Sequence, residues 1–336
     1  MPSSLFKNRV ILAPMSTYNT AAFLRVAAES GCDMAFTGLL SAFGLVMPGS
    51  KTVRMLEEPP EGLELAVQLF GSDPDTVARA AELVAGWGRA AAIDINMGCP
   101  VKKVVKTSAG AALMRNPEHA AAIVREASRR VGLPVTVKIR SGWDAGEVNA
   151  VEVARACEEA GAAAVSIHPR TCSQGFGDSA DWGLIRRVKE AVGVPVIGSG
   201  DIISPEDVKL MMEETGCDSV MIGRAALQDP TLVGRAAHFL RTGELSPEPP
   251  REERIKLLLR HLELEVEQSG ERRGVRKMRK FFASCTRGLP RSAELRDTLM
   301  KAKVPETVEK ILAGYLAGPP PGEKSTGPPC GAGESE

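Results

Sequence analysis

Cys99 stands in the run Asn96-Met97-Gly98-Cys99-Pro100, where a short apolar segment gives way to glycine and proline. A thiol at such a position can attack, donate a proton, or pack as an inert core residue. Lys138 lies inside the apolar run Val135–Ile139. A buried ammonium needs a partner, which a carboxylate or a bound anionic cofactor would supply. His168 ends another apolar run, as a titrating group or as a hydrogen-bonded structural histidine. Gly198-Ser199-Gly200-Asp201 and Gly223-Arg224 offer backbone N–H groups and a guanidinium. That chemistry suits a phosphate, although glycines also serve tight turns. Lys102, Lys103 and Lys106 follow Cys99 closely. A basic rim beside a reactive thiol suits a polyanionic substrate, and a solvated charge run is the plainer alternative.

These residues sit at or just past the ends of eight short apolar runs: Val10–Ala13, Met34–Thr37, Leu65–Phe70, Ala92–Asn96, Val135–Ile139, Ala164–His168, Val194–Gly198 and Ser219–Ile222. Between them lie Ala-rich stretches of helical period, among them Thr76–Trp87, Pro117–Val131, Ala150–Ala160, Trp182–Val192 and Pro205–Glu214. Asp73-Pro74 and Ser204-Pro205 read as helix starts. Gly31, Gly132, Gly161, Gly193 and Gly216 read as helix ends before the next strand. Eight strands alternating with helices predict a TIM (β/α)8 barrel, an α/β fold whose reacting groups gather at the C-terminal ends of the strands. No GxGxxG follows the first strand, which disfavours a doubly wound sheet.

The pattern changes near residue 245. Glu248-Pro249-Pro250 reads as a linker, and apolar residues then recur at helical spacing to about Leu312. The expected organisation is a barrel over 1–244, an all-helical domain over 251–316, and a disordered tail over 317–336 that is rich in Gly, Pro, Ser and Glu. The 336 residues suit a barrel plus an extension. Lys+Arg and Asp+Glu are 42 each, which excludes a uniformly basic nucleic-acid binder but not a local patch. Such a patch exists: Arg272, Arg273, Arg276, Lys277, Arg279, Lys280, Arg287 and Arg291 fall within twenty residues that hold no acid. Arg272, Arg276, Arg279 and Lys280 recur at spacings of three and four, predicting one helical stripe that could follow a phosphate backbone. The seven cysteines are scattered, odd in number and never in CxxC, which argues against a disulfide framework or structural zinc. No membrane-spanning run and no signal-peptide core occur, so a cytoplasmic protein without metal is expected.

With these residues in place, the sequence resembles the tRNA-dihydrouridine synthases. The resemblance is carried by Leu12-Ala13-Pro14-Met15, Gln68-Leu69-Phe70-Gly71, Asp94 through Val104, Gly110-Ala111-Ala112-Leu113-Met114, Val135 through Trp143, Ala180-Asp181-Trp182 and Val220 through Leu227. It implies an FMN-containing barrel, a helical tRNA-binding domain, and NADPH as the reductant that serves the flavin. It further implies that Pro14, Met15 and Ser16 border the flavin ring, and that Gln68, Lys138 and His168 touch the ring or ribityl chain. Ser199, Gly200, Asp201, Gly223 and Arg224 would hold the phosphate. Cys99 would be the general acid, and Asn96, Lys102, Lys103 and Arg170 would join Arg272, Arg276, Arg279 and Lys280 at the RNA. The chain departs from the family pattern in several places. Ser16 through Leu24 lacks the usual Asp and Arg, although Arg25 follows one residue later, Gly38 replaces Glu, Pro169 replaces Gly, Cys172 replaces Arg, Ser199 replaces Asn, and Phe281 and Ser284-Cys285 replace His and an aromatic pair. Two functions are compatible with this: dihydrouridine formation in tRNA, or a repurposed flavoprotein that acts on another RNA such as rRNA, performs a different RNA modification, or reduces a small molecule.

Overall fold

A computed structural model describes residues 2–318 except 57 and 176. The chain divides into two compact units, Met1–Glu248 and Pro249–Glu336. Most of the tail expected over 317–336 lies outside the described residues.

The first unit is a closed barrel of parallel strands: β1 Val10–Leu12, β2 Met34–Phe36, β3 Leu40–Ser41, β4 Glu64–Phe70, β5 Ala92–Met97, β6 Val135–Arg140, β7 Val165–His168, β8 Val196–Ser199 and β9 Ser219–Ile222. Neighbours run β2-β1-β9-β8-β7-β6-β5-β4, and the pairing of β2 with β4 closes the ring. The two-residue β3 merely extends the pairing at the end of β4, and two residues are too few to show a strand's periodicity in the sequence.

Side chains alternate between the two faces of a strand, so every second residue enters the barrel. At the N-terminal end that interior is apolar: Ile11, Met34, Phe36, Ala66, Ala92, Ala164, Ile197 and Met221 form one buried cluster, with Phe6 packed into it. Two residues further along the same strands the interior turns polar. Ala66 gives way to Gln68, Ala92 to Asp94 and Asn96, and Ala164 to Ser166 and His168. Register aligns Gln68 with Asp94 and Asp94 with Thr136. One layer up, Asn96 pairs with Lys138 and Lys138 with Ser166, and Arg140 pairs with His168. The fold thus stacks polar layers on an apolar base, at the C-terminal ends of the strands.

The helices begin as their sequence signals predict. Asp73 accepts from the Thr76 N–H at the start of Pro74–Trp87, and Ser204 and Asp207 form a reciprocal capping box before Pro205–Thr215. Gly216 ends its helix at φ +70°, as expected. Gly132 and Gly193 do not cap: those helices stop at Val131 and Val192, which are already extended.

The second unit contains the helices Arg251–Ser269, Glu271–Cys285, Ser292–Lys301 and Pro305–Ala317. Ile255, Leu258, Leu262, Val275, Met278, Phe281, Phe282, Leu299 and Leu312 form its interior. Glu265 is fully buried there and pairs with Lys277 Nζ at 3.0 Å.

Candidate active site

Cys99 lies just beyond β5, half-buried at the mouth. Four hydrogen bonds fix its loop. Asn96 Oδ1 accepts from the Cys99 N–H at 2.9 Å and from the Gly98 N–H at 3.3 Å. Arg140 Nε donates to the Gly98 carbonyl at 2.8 Å. The Ala111 N–H donates to the Cys99 carbonyl at 3.1 Å. Gly110 at φ +63° lets that segment come close, since a Cβ there would stand 2.7 Å from the Cys99 carbonyl oxygen. This accounts for the Gly110–Met114 motif: it is the bed of the cysteine loop.

Burial pushes the Cys99 thiol above its ordinary value, only partly opposed by the Val101 backbone and by the Arg140 guanidinium. A neutral thiol is therefore the resting form. Cys157, by contrast, is fully buried in a helix and pushed up to about 12 by burial alone, which fits inert packing. Cys172 shares the mouth with Cys99. Arg140 Nη1 binds the Thr171 carbonyl at 2.8 Å, so one guanidinium ties the residues preceding both thiols.

Lys138 is half-buried, and among the described residues no hydrogen bond or ion pair engages its ammonium. Burial, then Arg140, pulls it down to about 8, opposed by Asp94. Asp94 is fully buried and pushed up to about 6 by that burial. His168 is 9% exposed and pulled down to about 2, chiefly by burial and then by Lys138, Arg140, Arg170 and Arg224. The imidazole is thus neutral across the working range. Four cations against the carboxylates Asp94 and Asp201 leave the mouth electropositive.

The phosphate end divides into parts that fit and parts that do not. Gly200 has φ +124°, and a Cβ there would meet Ala180 at 2.9 Å and the His168 ring at 3.4 Å, so only glycine leaves this cradle open. Gly223 starts the short helix Arg224–Leu227, and the Arg224 side chain is 52% exposed. Ser199 is buried at the end of β8. Gly198 points the other way: a Cβ would strike Met211 Sδ at 2.6 Å, so this glycine serves packing of the helix Pro205–Thr215 rather than a ligand. Asp201 carries a carboxylate, which repels a phosphate; its oxygens instead accept from Arg170 Nη2 at 2.7 and 2.9 Å and from the Ala180 N–H.

That pairing corrects Arg170. Expected at the RNA, it is 2% exposed and also donates to the Gly177 and Asp178 carbonyls, so it clamps a loop inside the protein. Asn96 likewise faces the barrel interior, 7% exposed. Pro14 and Met15 are half-buried and Ser16 exposed in the turn after β1. Asn19 Nδ2 secures that turn by donating to the Ala13 and Phe36 carbonyls at 2.8 and 2.7 Å. Thr20, where the family has Asp, caps the following helix through the Phe23 N–H. Gly38 fits a tight approach, since a Cβ there would stand 2.9 Å from the Ser16 carbonyl. Lys102 and Lys103 are exposed on the rim.

In the helical unit the expected stripe breaks in two. Arg272 and Arg276 are exposed, with Arg273 beside them. Arg279 and Lys280 are half-buried: Arg279 donates to the Ala302 carbonyl at 3.4 Å, and the Lys280 ammonium lies 5.0 Å from the Phe281 ring centroid. Phe281 is fully buried and Cys285 is 9% exposed, so both departures there are core residues.

Asp94, Thr136 and Arg140 were not singled out in the sequence. The signal was present: Asp94 and Thr136 are polar residues inside apolar runs, as Lys138 is, and Arg140 follows Lys138 by two residues at the end of the same strand.

A closed parallel barrel with a neutral thiol, an unengaged ammonium and a glycine cradle at the C-terminal ends of its strands defines a barrel enzyme with its site at that mouth. A family model described as Dihydrouridine synthase (Dus) matches residues 11–315, and the chain belongs to that family of oxidoreductases. It is 36% identical over 312 residues to a probable tRNA-dihydrouridine synthase of Rickettsia bellii, covering 92% of this chain and 95% of that one. It is 37% identical over 317 residues to tRNA-dihydrouridine synthase B of Xanthomonas axonopodis pv. citri, covering 93% and 95%. With a probable tRNA-dihydrouridine synthase 1 of Synechocystis sp. it shares 38% over 299 residues, covering 88% and 82%. Among solved structures, a complex of 2-naphthoyl-CoA reductase with 2-naphthoyl-CoA aligns with TM-score 0.53 at 14% identity, over 68% of this chain and 50% of that one, which is a likeness of fold. No helix among the described residues is long and apolar enough to cross a membrane.

Proposed function

We propose that this chain reduces uridine to 5,6-dihydrouridine in tRNA, in the cytoplasm, with FMN in the barrel mouth, NADPH as the electron source and Cys99 as the proton donor. The residues at the mouth fit FMN. Lys138 has an ammonium that no described group engages, Gly200 and Gly223 leave room for a phosphate, and Arg224 adds a half-exposed guanidinium. Flavin chemistry supplies a hydride to one carbon of the uracil double bond.

The protein's own part is the proton. Reduction of the double bond needs a hydride at one carbon and a proton at its neighbour, and Cys99 Sγ is the donor. Burial favours the protonated thiol, which is the form a general acid requires. Asn96 holds the backbone of the donor in place. With FMN bound, Lys138 would supply positive charge beside it, and His168, kept neutral, would offer a hydrogen bond without charge. Asp201 serves indirectly by neutralising Arg170.

The observation that carries this reading is the neutral Cys99 thiol held by Asn96 at the same mouth as the unengaged Lys138 ammonium. RNA from cells lacking the protein should lose dihydrouridine from defined tRNA positions. The wild-type chain should restore it and Cys99→Ala should not. Unaltered dihydrouridine in every RNA fraction would refute the reading.

The burial of Phe281 and Cys285, at places where the family has His and an aromatic residue, favours a second reading: the same reduction on a different structured RNA. Separate mass spectrometry of tRNA and rRNA distinguishes the two.

A further inference from the structure

We propose that Asp94 is a positioning residue for Cys99: it sets the direction of a chain of two side-chain amides, Gln68 and Asn96, that ends on the Cys99 backbone. The chain is continuous. Thr136 Oγ1 donates to Asp94 Oδ1 at 2.7 Å and Gln68 Nε2 donates to Asp94 Oδ2 at 2.7 Å. Asn96 Nδ2 donates to Gln68 Oε1 at 3.0 Å, and Asn96 Oδ1 accepts from the Cys99 and Gly98 N–H groups at 2.9 and 3.3 Å.

An amide side chain has a donor end and an acceptor end of nearly equal shape, so its shape does not choose which way it points. Here both ends of the chain do choose. An ionised carboxylate only accepts, which forces Gln68 to turn its NH2 group inward and its oxygen toward Asn96. Backbone N–H groups only donate, which requires an oxygen from Asn96. Between those ends the two amides have one consistent arrangement, and turning either sets oxygen against oxygen or N–H against N–H. All three side chains are buried, where a mismatched polar contact is costly. A neutral amide at position 94 would carry no buried charge, but it would accept through one oxygen only, and its NH2 group at the other position would donate. It would leave the direction to the far end alone.

The relevance to catalysis rests on the reading of Cys99 as proton donor; the hold on its backbone does not. The test therefore reads the backbone first. In the purified full-length protein, hydrogen exchange at the Gly98 and Cys99 amides is compared among variants of similar size. Asp94→Asn should lower protection there by roughly tenfold, about the worth of one hydrogen bond, while the other strands keep theirs. The swap Asp94→Asn with Asn96→Asp moves the acceptor-only group next to Cys99 and again permits one arrangement, with Gln68 reversed, so protection should return. Should Asp94→Asn not fold, Gln68→Met cuts the chain in its middle and must show the same local loss. Unchanged protection in the single variant, or no recovery in the swap, overturns the proposal. A second readout follows flavin re-oxidation by RNA in one turnover. If Asp94→Asn loosens the Cys99 amide but re-oxidation keeps its rate, the positioning stands and Cys99 as the proton donor falls.

Discussion

The barrel mouth and the basic helix of the second unit were both marked by charged residues at regular spacing, yet they behave differently. In the barrel, a lysine or aspartate at an inward position has nowhere else to go, because the pleat alternates strictly and the ring is closed. Lys138, a lysine inside an apolar run, lies on β6 among the polar layers of the barrel. On Glu271–Cys285 regular spacing placed Arg272, Arg276, Arg279 and Lys280 on one stripe, but neighbouring helices cover part of it and leave only Arg272 and Arg276 exposed. The mouth is built for chemistry in a desolvated interior, whereas the exposed arginines offer charge in water.

This contrast predicts different failures. Cys99→Ala should slow product formation by roughly 100-fold or more, the scale of a missing general acid, with flavin content and reduction by NADPH retained. Next in size, Arg272→Glu with Arg276→Glu should weaken tRNA binding by roughly tenfold or more, and lower the salt slope by about 0.7–0.9 for each phosphate that is no longer neutralised. The pair Arg279→Ala and Lys280→Ala should mainly lower the melting temperature, as half-buried packing is removed; an equal loss of RNA affinity in both pairs would erase the distinction between exposed and covered cations. Lys138→Ala should weaken flavin retention by roughly tenfold, the worth of one charge-assisted hydrogen bond, read by ultrafiltration of the yellow protein.

The smallest effect concerns stability. The folded-state pKa of Asp94 is raised to about 6 by burial, so the ionised carboxylate is a penalty at pH 8 that starts to shrink as pH falls through 6 and is gone below about 4, where the unfolded chain protonates too. Asp94→Asn should therefore raise unfolding stability by about 1–2 kcal/mol at pH 8, with the gain fading by about pH 4. His168 works in the opposite sense. Its folded pKa is pulled far below the unfolded one, so stability drops as pH falls below about 6.5, where only the unfolded chain binds that proton. Denaturant titrations at pH 8, 6 and 4 read both signs.

The eight barrel strands were legible because β-branched runs bounded by glycine and proline leave little ambiguity. The placement of Cys99, Lys138 and Gly200 at the barrel mouth was legible, because each follows from one residue's position on a strand or just past it. The site was not legible where a role depends on a distant partner. Arg170 is internal because Asp201 waits 31 residues on, which spacing cannot reveal. Gly198 and Gly200 are the same letter two residues apart, and one lies against Met211 and the other against His168. Asp94 lay in plain view inside the Cys99 motif, but its purpose depends on the order in which three side chains on two strands meet.

The division of labour between mouth and basic face is tested most directly by single-turnover rates across a range of tRNA concentrations, with enzyme reduced beforehand. Cys99→Ala should lower the limiting rate by roughly 100-fold and leave the half-saturating tRNA concentration unchanged. Arg272→Glu with Arg276→Glu should raise that concentration by roughly tenfold and leave the limiting rate unchanged. A normal limiting rate for Cys99→Ala, or an arginine variant that loses limiting rate while saturating normally, would contradict the account.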